Sequence, residues 1–250
     1  MNNYALIGAH LGHSYSATIH NYIFKKLGIE SSYKLIETLD LASFVDYAKA
    51  NLAGFNVTIP YKEKIVPYLD EIALEAKSLG NVNTVKVING NLYGYNTDYF
   101  GFLEMLKKYH INFKDKSCFV LGSGGAAKTC FNVLASMAKE VSYVSRTKKG
   151  EHFISYNDLA NKEIDLLVNA TPVGMYPNIN ECPVSDEVLN KAKEVVDLIY
   201  NPRQTLFLRA KNSYNNGLLM LILQALKAEE IWEGIKPDDN LIKEVGELFV

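Results

Sequence analysis

The sequence lacks the long apolar runs and the cysteine pairs that mark membrane proteins and disulfide-rich proteins. Among its 250 residues the longest apolar run is Leu218–Leu223, far shorter than the roughly 18 residues of a membrane-spanning helix. The N-terminus shows neither the basic segment nor the continuous apolar segment of a secretory signal peptide. The cysteines, Cys118, Cys130 and Cys182, are widely spaced and odd in number, which favours a reducing compartment. We therefore expect a cytoplasmic protein that does not bind membranes.

The sequence also lacks a large excess of positive or negative charge. Lysine and arginine number 26, and aspartate and glutamate 28, so the formal net charge is −2 at pH 7. This balance argues against nucleic acid or an anionic membrane surface as a partner and leaves a small molecule as the expected one. Arginine is scarce, since Arg146, Arg203 and Arg209 are the only ones. An anion bound by the first half of the chain must therefore be held by other donors.

Metal-ligand patterns are also absent. His10, His13 and His20 lie near one another in the sequence, but their spacing matches no common ligand pattern, and no cluster of cysteines or carboxylates accompanies them. We expect no metal site, and we interpret His13 as a residue that orders its loop.

An alternation of strand-like and helix-like segments predicts an α/β fold. The composition, 48% apolar and 22% charged, is that of an ordinary globular protein. The alternation begins with a strand at Tyr4 and a helix over Ser16–Leu27. It is interrupted by Asn89-Gly90, which predicts a type I′ hairpin between Thr84–Ile88 and Leu92–Tyr95.

A second alternation, which starts near residue 99, indicates a second domain. We therefore predict two domains, one of residues 1–98 and 217–250 and the other of residues 99–216.

A glycine-rich turn predicts a nucleotide site in the second domain. Gly122-Ser-Gly-Gly-Ala-Ala127 fits the pattern G-x-G-x-x-A, and it follows a predicted strand and precedes a predicted helix. The first glycine permits the tight turn, the second lets the backbone approach a pyrophosphate, and the helix N-terminus offers free N–H groups to the anion. The predicted cofactor-binding residues of this turn are Gly122, Ser123, Gly124, Gly125 and Ala126. A merely tight strand-to-helix turn is the alternative.

The tip of the next predicted strand indicates which nucleotide binds. A site for NAD has an acidic residue about 20 positions after the turn, where it binds the ribose 2′-hydroxyl. Here the tip reads Ser145-Arg146-Thr147. A guanidinium pairs with a 2′-phosphate and the hydroxyls add hydrogen bonds, so we predict NADP, with a solvated charged loop as the alternative.

Polar residues collect where the strands of the first domain end, which is where α/β proteins bind ligands. They are Ser14, Ser16, Asn56, Thr58, Lys62, Asn83 and Asp98. Ser14 and Ser16 stand at the start of a predicted helix, where hydroxyls, free N–H groups and the helix dipole can hold a carboxylate without arginine. Taken singly, either serine or Asp98 can be a helix cap, and Lys62 can be a surface lysine.

Across essentially its whole length the chain resembles the shikimate dehydrogenase family. The motifs that carry the resemblance occur in the family's order. They are Gly8, His13-Ser-Tyr-Ser16, His20-Asn21, Asn56-Val-Thr-Ile-Pro60 with Lys62, Asn83-Thr84, Gly94-Tyr-Asn-Thr-Asp98, the Gly122 turn, Asn169-Ala-Thr-Pro-Val-Gly174, Asp197-Leu-Ile-Tyr-Asn-Pro202 with Thr205, and Gly217 to Gln224-Ala225.

The resemblance implies an NADP-dependent oxidoreductase of aromatic amino acid biosynthesis. Its fold would be an N-terminal α/β substrate domain with a mixed, mainly parallel sheet, followed by a Rossmann-like NADP domain. By the same resemblance Lys62 and Asp98 are the catalytic pair. The implied substrate-binding residues are Ser14, Ser16, Asn56, Thr58, Asn83, Tyr200 and Gln224. The implied cofactor residues outside the glycine-rich turn are Ser145, Arg146, Thr147, Thr171, Leu198 and Gly217.

Three alternatives to this function are open. One is a relative that acts on quinate as well as shikimate and uses NAD or NADP, and a second is a folate-pathway methylene dehydrogenase. The third is a catalytically silent sensor of NADP or a metabolite, against which Lys62 and Asp98 argue. A homodimer is among the possible assemblies.

The sequence departs from the family's pattern at three places. Ala17 stands where the family has a proline after the second serine, and Ala9-His-Leu-Gly12 replaces the family's usual loop residues between Gly8 and His13. Both changes leave the predicted carboxylate site intact. Only 21 residues separate Thr147 from Asn169, so we expect the helix that follows the strand tip to be shortened or lost. This change affects the adenosine end of the predicted cofactor site and not the chemistry.

Overall fold

The computed structural model describes residues 1–12, 14–147, 150–211 and 213–249. The predicted loop residue His13 and the pair Lys148-Lys149 beyond the strand tip therefore lie outside the described residues. The chain divides into two compact units, one of Met1–Phe100 with Ile222–Val250 and the other of Gly101–Leu221. In the part of the chain that the structure describes, no helix is long and apolar enough to cross a membrane.

A six-stranded mixed sheet organises the first unit. Its elements are β1 (Asn2–Gly8), α1 (Ser16–Leu27), β2 (Ser31–Glu37), α2 (Leu41–Asn51), β3 (Gly54–Val57), a short 3₁₀ helix (Val66–Tyr68), β4 (Glu71–Ile72), α3 (Leu74–Leu79), β5 (Thr84–Ile88), β6 (Asn91–Tyr95), the start of α4 (Thr97–Lys108), the end of α9 (Leu218–Glu233), and α10 (Asp239–Glu247). The strand order is β2-β1-β3-β5-β6-β4. β1 runs parallel to β2 and β3, whereas β5 runs antiparallel to β3 and β6.

β1 lies between two apolar layers because its side chains alternate between the faces of the sheet. Ala5 and Ile7 pack with Phe44 of α2. Tyr4 and Leu6 face the other way and pack with Phe24 of α1 and Trp232 of α9. Both faces of β1 are therefore covered, as expected for a central parallel strand.

The hairpin predicted at Asn89-Gly90 is confirmed. Both residues have positive φ, 52° and 79°, as a type I′ turn requires. The turn sets the register in which Thr84 pairs with Tyr95. Since Asn56 pairs with Thr84, the residues before β5 and after β6 lie at the edge of the sheet where β1 and β3 end.

An all-parallel, five-stranded sheet organises the second unit. Its further elements are β7 (Ser117–Leu121), α5 (Gly125–Ala135), β8 (Glu140–Val144), β9 (Phe153–Ile154), α6 (Tyr156–Leu159), β10 (Ile164–Asn169), α7 (Asp186–Lys191), β11 (Ala192–Asp197) and α8 (Leu206–Arg209). The strand order is β11-β10-β7-β8-β9. The two sheets confirm the predicted fold class, a mixed, mainly parallel sheet followed by a Rossmann-like sheet.

The connection between β8 and β10 is short, in line with the spacing of the sequence. Its helix, α6, has only four residues. Three stacked rings connect the neighbouring elements: Tyr143 of β8 lies 4.3 Å from Phe131 of α5 and 4.7 Å from Phe153 of β9, measured between ring centroids. Aromatic stacking thus ties the two-residue strand β9 to α5 and β8.

Candidate functional site

The predicted residues of the first unit meet at one end of its sheet, the end at which β1 and β3 terminate. Ser14 and Ser16 follow β1, Thr58 and Lys62 follow β3, and Asn83 and Asp98 flank the hairpin. Asn56 lies within β3, and Gln224 lies on α9. Tyr200 belongs to the second unit, where it follows β11 and is half-buried.

Lys62 and Asp98 form an ion pair at this end of the sheet. The distance from Lys62 Nζ to Asp98 Oδ2 is 2.6 Å, and the side chains are 25% and 17% exposed. The backbone holds Lys62 in place, since its carbonyl oxygen accepts a hydrogen bond from the N–H of Val82 at 2.8 Å. The pair is therefore fixed in position and still accessible to a small molecule, so Lys62 is not a solvated surface lysine.

Capping does not account for Asp98. Asn96 supplies the cap of α4, because its Oδ1 accepts a hydrogen bond from the N–H of Tyr99 at 3.1 Å. Asp98 lies in the first turn of the same helix, where the helix dipole favours a negative charge. The carboxylate thus remains available to Lys62 and to a ligand.

Asn83 is the centre of a buried polar network behind the ion pair. Its Oδ1 accepts hydrogen bonds from the N–H of Thr97 at 2.7 Å and from Thr84 Oγ1 at 3.1 Å, and its Nδ2 donates to Thr97 Oγ1 at 3.1 Å. Thr97 Oγ1 also lies 3.5 Å from Gln224 Oε1. Thr97, the residue before Asp98, therefore connects Asn83 with Gln224, although these two are far apart in the sequence.

Asn56 extends this network towards β2. Its Nδ2 donates to the carbonyl oxygen of Asn83 at 3.1 Å and to Thr84 Oγ1 at 2.9 Å, and its Oδ1 accepts from the hydroxyl of Tyr33 at 2.6 Å. Both amide hydrogens are therefore in use, and one lone pair of Oδ1 is left for a ligand hydroxyl.

The two serines belong to the start of α1, but neither is its N-cap residue. That residue is Tyr15, which makes no side-chain cap. Ser14 Oγ accepts a hydrogen bond from the N–H of Ser16 at 3.3 Å, so Ser14 satisfies one N–H group of the first turn. Burial raises the pKa of the nearby Tyr33 phenol, and the Ser16 side chain acts in the opposite direction.

Several of the buried polar residues near the site do not stand out in the sequence. Tyr33 has the pattern of an ordinary strand aromatic, and Thr97 that of a helix start. Glu229 stands next to Glu230 and resembles half of a solvated pair, yet it is fully buried and pairs with the equally buried His20. A carboxylate on a helix that begins with the apolar run Leu218–Leu223 is the signal that points to such a partner.

In the second unit, the register of the sheet aligns the ends of four strands. Leu121 pairs with Val144 on one side and with Asn169 on the other, and Asn169 pairs with Asp197. The predicted cofactor residues of the second unit follow these strand ends. They are the turn Gly122–Ala126, the tip Ser145–Thr147, Thr171 and Leu198. All of them therefore lie at the carboxyl edge of one parallel sheet, where α/β proteins bind nucleotides.

The glycine-rich turn has the backbone that a phosphate group requires. Gly122 has a φ of +109°, and a Cβ atom there would lie 3.2 Å from the carbonyl oxygen of Ala170. The N-cap of α5 is Gly124, and no side chain caps the helix. Because the first N–H groups of a helix have no partner within it, the exposed turn fits a bound pyrophosphate.

The tip of β8 presents the guanidinium of an exposed Arg146. The N–H of Ser145 donates to the carbonyl oxygen of Ile154 at 3.1 Å, and Ser145 Oγ accepts from the N–H of Thr147 at 3.3 Å. The charge of Arg146 lies close enough to Tyr156 to lower its pKa, although burial dominates and raises the pKa of that phenol. The tip thus carries one cation and two hydroxyls.

Asp197, at the end of β11, links this strand to the end of β10 and to the segments that follow both strands. Its carboxylate accepts hydrogen bonds from Asn169 Nδ2 at 3.0 Å, the N–H of Ile199 at 3.0 Å and Thr205 Oγ1 at 2.6 Å. Asn169 Oδ1 in turn accepts from Thr171 Oγ1 at 2.7 Å. Asp197 therefore orients the segments that contain Thr171 and Leu198.

Gly217 is required by the close approach of two backbone segments. A Cβ atom at this position would lie 1.9 Å from the carbonyl oxygen of Leu198. Only glycine fits without moving the backbone. Leu198 and Gly217 are thus held side by side, which agrees with the prediction that both bind the cofactor.

The buried carboxyl of Asp197 leads to a prediction for stability. Burial raises its pKa from 3.8 to about 6, so between these values the folded state keeps a proton that the unfolded state has released. The stability that comes from this proton is lost as the pH rises through that window. We expect a shift from pH 7 to pH 5 to raise the free energy of unfolding of the wild type by about 1 kcal/mol relative to Asp197→Asn.

Urea denaturation of both proteins at the two pH values measures this difference. A difference independent of pH would show that Asp197 ionises as it does in the unfolded chain. A change of opposite sign would show that the three hydrogen bonds outweigh burial.

Among the described residues, no group of three or more His, Cys, Asp or Glu side chains is arranged to hold a metal ion.

Comparisons with known proteins agree over the whole chain. A family model described as the shikimate dehydrogenase substrate binding domain matches residues 6–85. The shikimate dehydrogenase (NADP(+)) of Clostridium beijerinckii is 42% identical over 265 residues, which cover 100% of this chain and 98% of that protein.

Solved structures show the same similarity. The crystal structure of a chorismate mutase/shikimate 5-dehydrogenase fusion protein from Clostridium acetobutylicum matches with a TM-score of 0.94 at 42% identity, covering 99% of this chain and 97% of that one. The shikimate 5-dehydrogenase of Thermus thermophilus, in complex with NADP(H) and shikimate, matches with a TM-score of 0.88 at 32% identity, covering 100% of both chains.

Proposed function

The chain belongs to the shikimate dehydrogenase family, and we propose that it interconverts 3-dehydroshikimate and shikimate with NADP(H). The reaction is a step in the biosynthesis of aromatic amino acids. The observation that carries the proposal is the ion pair of Lys62 and Asp98, with 2.6 Å between Nζ and Oδ2, at an edge lined with buried hydrogen-bonding groups. The first unit is the substrate-binding domain and the second the NADP-binding domain.

Lys62 transfers the proton. A bound nicotinamide supplies the hydride chemistry, and the protein supplies orientation and the proton. In reduction, the ammonium group of Lys62 donates a proton to the nascent alkoxide, and in oxidation the neutral amine accepts the proton of the substrate hydroxyl. Asp98 holds Nζ in place through the ion pair. Asp98 also has a second carboxylate oxygen, which is an acceptor for a substrate hydroxyl.

The polar groups around the pair bind the substrate. Ser14 and Ser16 hold its carboxylate at the start of α1, where the helix dipole favours an anion. The ring hydroxyls are bound by amide and hydroxyl groups of Asn56, Thr58, Asn83 and Gln224. Tyr200 supplies a further hydroxyl.

The carboxyl edge of the second sheet binds NADP. The turn Gly122–Ala126 holds the pyrophosphate with the N–H groups of α5, and Ser145, Arg146 and Thr147 hold the 2′-phosphate. Thr171 and the backbone of Leu198 and Gly217 flank the nicotinamide. The uncapped start of α5 and the exposed guanidinium support this assignment.

Turnover of quinate distinguishes the proposal from its alternatives. With NADP+ at saturation, we expect kcat/KM for shikimate to exceed that for quinate at least about tenfold, because quinate adds a hydroxyl beside the carboxylate. Equal values would favour a quinate/shikimate dehydrogenase of broad specificity. Binding of NADP+ and shikimate without turnover would identify a sensor.

Compartment and assembly are parts of the proposal as well. Cys118 and Cys130 are buried and fit a reducing compartment, so we place the enzyme in the cytoplasm. Its partner is the small-molecule substrate. A homodimer is the assembly to be tested, by light scattering of the purified chain.

A further inference from the structure

The phenol of Tyr33 contacts one residue of the proposed substrate site and lies near a second. Its hydroxyl donates to Asn56 Oδ1 at 2.6 Å, and Ser16 is close enough to act on the pKa of the phenol. Tyr33 is 4% exposed and lies on β2, which contributes no residue to the proposed site. Burial raises the pKa of this phenol, so the hydroxyl keeps its proton and remains a donor to Asn56.

A buried pair of polar side chains holds the ring of Tyr33. The ring stacks on that of His20, with centroids 4.1 Å apart and planes at 6°. Nδ1 of His20 in turn hydrogen-bonds Glu229 of α9, and both side chains are fully buried. Trp232 closes this cluster with its ring centroid 5.5 Å from that of His20 and 6.2 Å from that of Tyr33. The phenol therefore has little freedom to turn away from Asn56.

The pair of His20 and Glu229 is a poor source of stability. Within the described residues, Nε2 of His20 and Oε2 of Glu229 are buried and make no hydrogen bond. The free energy lost when such groups are removed from water is about as large as the free energy gained from their attraction. Buried polar atoms without a hydrogen bond add to the loss. A packed apolar pair would fill the space at least as well, so the arrangement is better explained by the ring that it fixes.

We propose that Tyr33, held by His20 and Glu229, is a positioning residue for substrate binding. Its hydroxyl fixes the rotamer of Asn56, so that the remaining Asn56 lone pair faces the substrate before it arrives. Pre-organised groups bind more tightly because they lose less side-chain freedom on binding. Tyr33 touches neither the substrate nor the reacting atoms in this role. The inference rests on the proposed function, because it needs Asn56 to bind substrate.

Tyr4 provides a matched control within the same cluster. It is also buried, at 1% exposure, and its ring stacks on Trp232 at 4.6 Å. Its hydroxyl donates to Glu233 Oε1 at 2.9 Å, and no residue of the proposed site takes part in that bond. Tyr4→Phe and Tyr33→Phe thus each remove one buried hydroxyl from one aromatic cluster, and only the second touches the site.

The test is steady-state kinetics of wild type, Tyr33→Phe and Tyr4→Phe, with thermal denaturation of each. We expect Tyr33→Phe to raise the KM for shikimate about tenfold, equal to about 1.4 kcal/mol. Its kcat and its KM for NADP+ stay within about twofold of wild type, and Tyr4→Phe leaves all three constants within that range. In the Asn56→Ala background, Tyr33→Phe raises KM by a smaller factor, since the acceptor of its hydroxyl is gone.

Each other outcome overturns the inference. An unchanged KM in Tyr33→Phe shows that the hydroxyl does not act on the site. Equal changes in Tyr33→Phe and Tyr4→Phe, parallel to their losses in Tm, show a general effect of stability. Failure of the proposed function is distinguishable from both, because the wild type itself would then not oxidise shikimate.

Discussion

We expect Lys62→Ala to lower kcat for shikimate oxidation by two or more orders of magnitude with little change in KM. A positioned acid–base group contributes about 10²-fold to 10⁴-fold to the rate, and Lys62 is the ammonium group paired with Asp98 at the site. The KM stays close to that of the wild type because the buried network of Asn83, Thr97 and Gln224 remains. Steady-state kinetics with NADP+ at saturation measure both constants.

Lys64→Ala is the control for this experiment. Lys64 lies two residues further on and is exposed, so its removal changes the charge of the segment without touching the ion pair. It should leave kcat and KM unchanged. A Lys62→Ala enzyme with normal kcat and a raised KM would show that Lys62 binds the substrate and does not transfer the proton.

The second large effect concerns cofactor choice. Arg146→Ala should raise the KM for NADPH on the order of 10-fold to 100-fold, since hydrogen bonds between charged groups contribute about 1.5–3 kcal/mol. NADH has no 2′-phosphate, so its KM changes little and the preference for NADPH narrows. The measurement is kcat/KM for both cofactors with 3-dehydroshikimate at saturation.

Arg209→Ala is the matched control, because Arg209 is an exposed arginine at the end of α8 in the same unit. It should leave both cofactor constants unchanged. Equal losses for NADPH and NADH in Arg146→Ala would mean that the guanidinium does not bind the 2′-phosphate.

Local signals were enough to predict much of the fold. The predicted helix from Ser16 to Leu27 has those bounds in the structure, since Gly28 with a φ of 67° ends it in a left-handed cap. The hairpin follows from Asn89-Gly90, whose backbone conformation few other pairs adopt. In each of these cases, a few neighbouring residues determine the geometry.

The shortest elements escaped prediction. The strands β4 and β9 have two residues each, too few to show an alternating pattern. They exist because a longer neighbour offers hydrogen bonds: Tyr143 of β8 pairs with Phe153 of β9. The four-residue helices α6 and α8 begin after the N-cap residues Ser155 and Thr205. Helices of this length are too short to show a helical pattern of apolar residues that would mark these two as caps.

The site was predictable where residue types are unusual and not where they are ordinary. Lys62 and Asp98 stand out at strand and helix ends. Asp197 instead continues a buried strand, and its role emerges only from contacts with Asn169 and Thr205. The network of Tyr33 depends in the same way on residues distant in the sequence, such as Asn56, which no local pattern reveals.

The proposed function is tested most directly by the absorbance of reduced nicotinamide when the purified chain is mixed with shikimate and NADP+. We expect rapid reduction of NADP+ and much slower reduction of NAD+ under the same conditions. No reduction of either cofactor, in protein shown by circular dichroism to be folded, would contradict it.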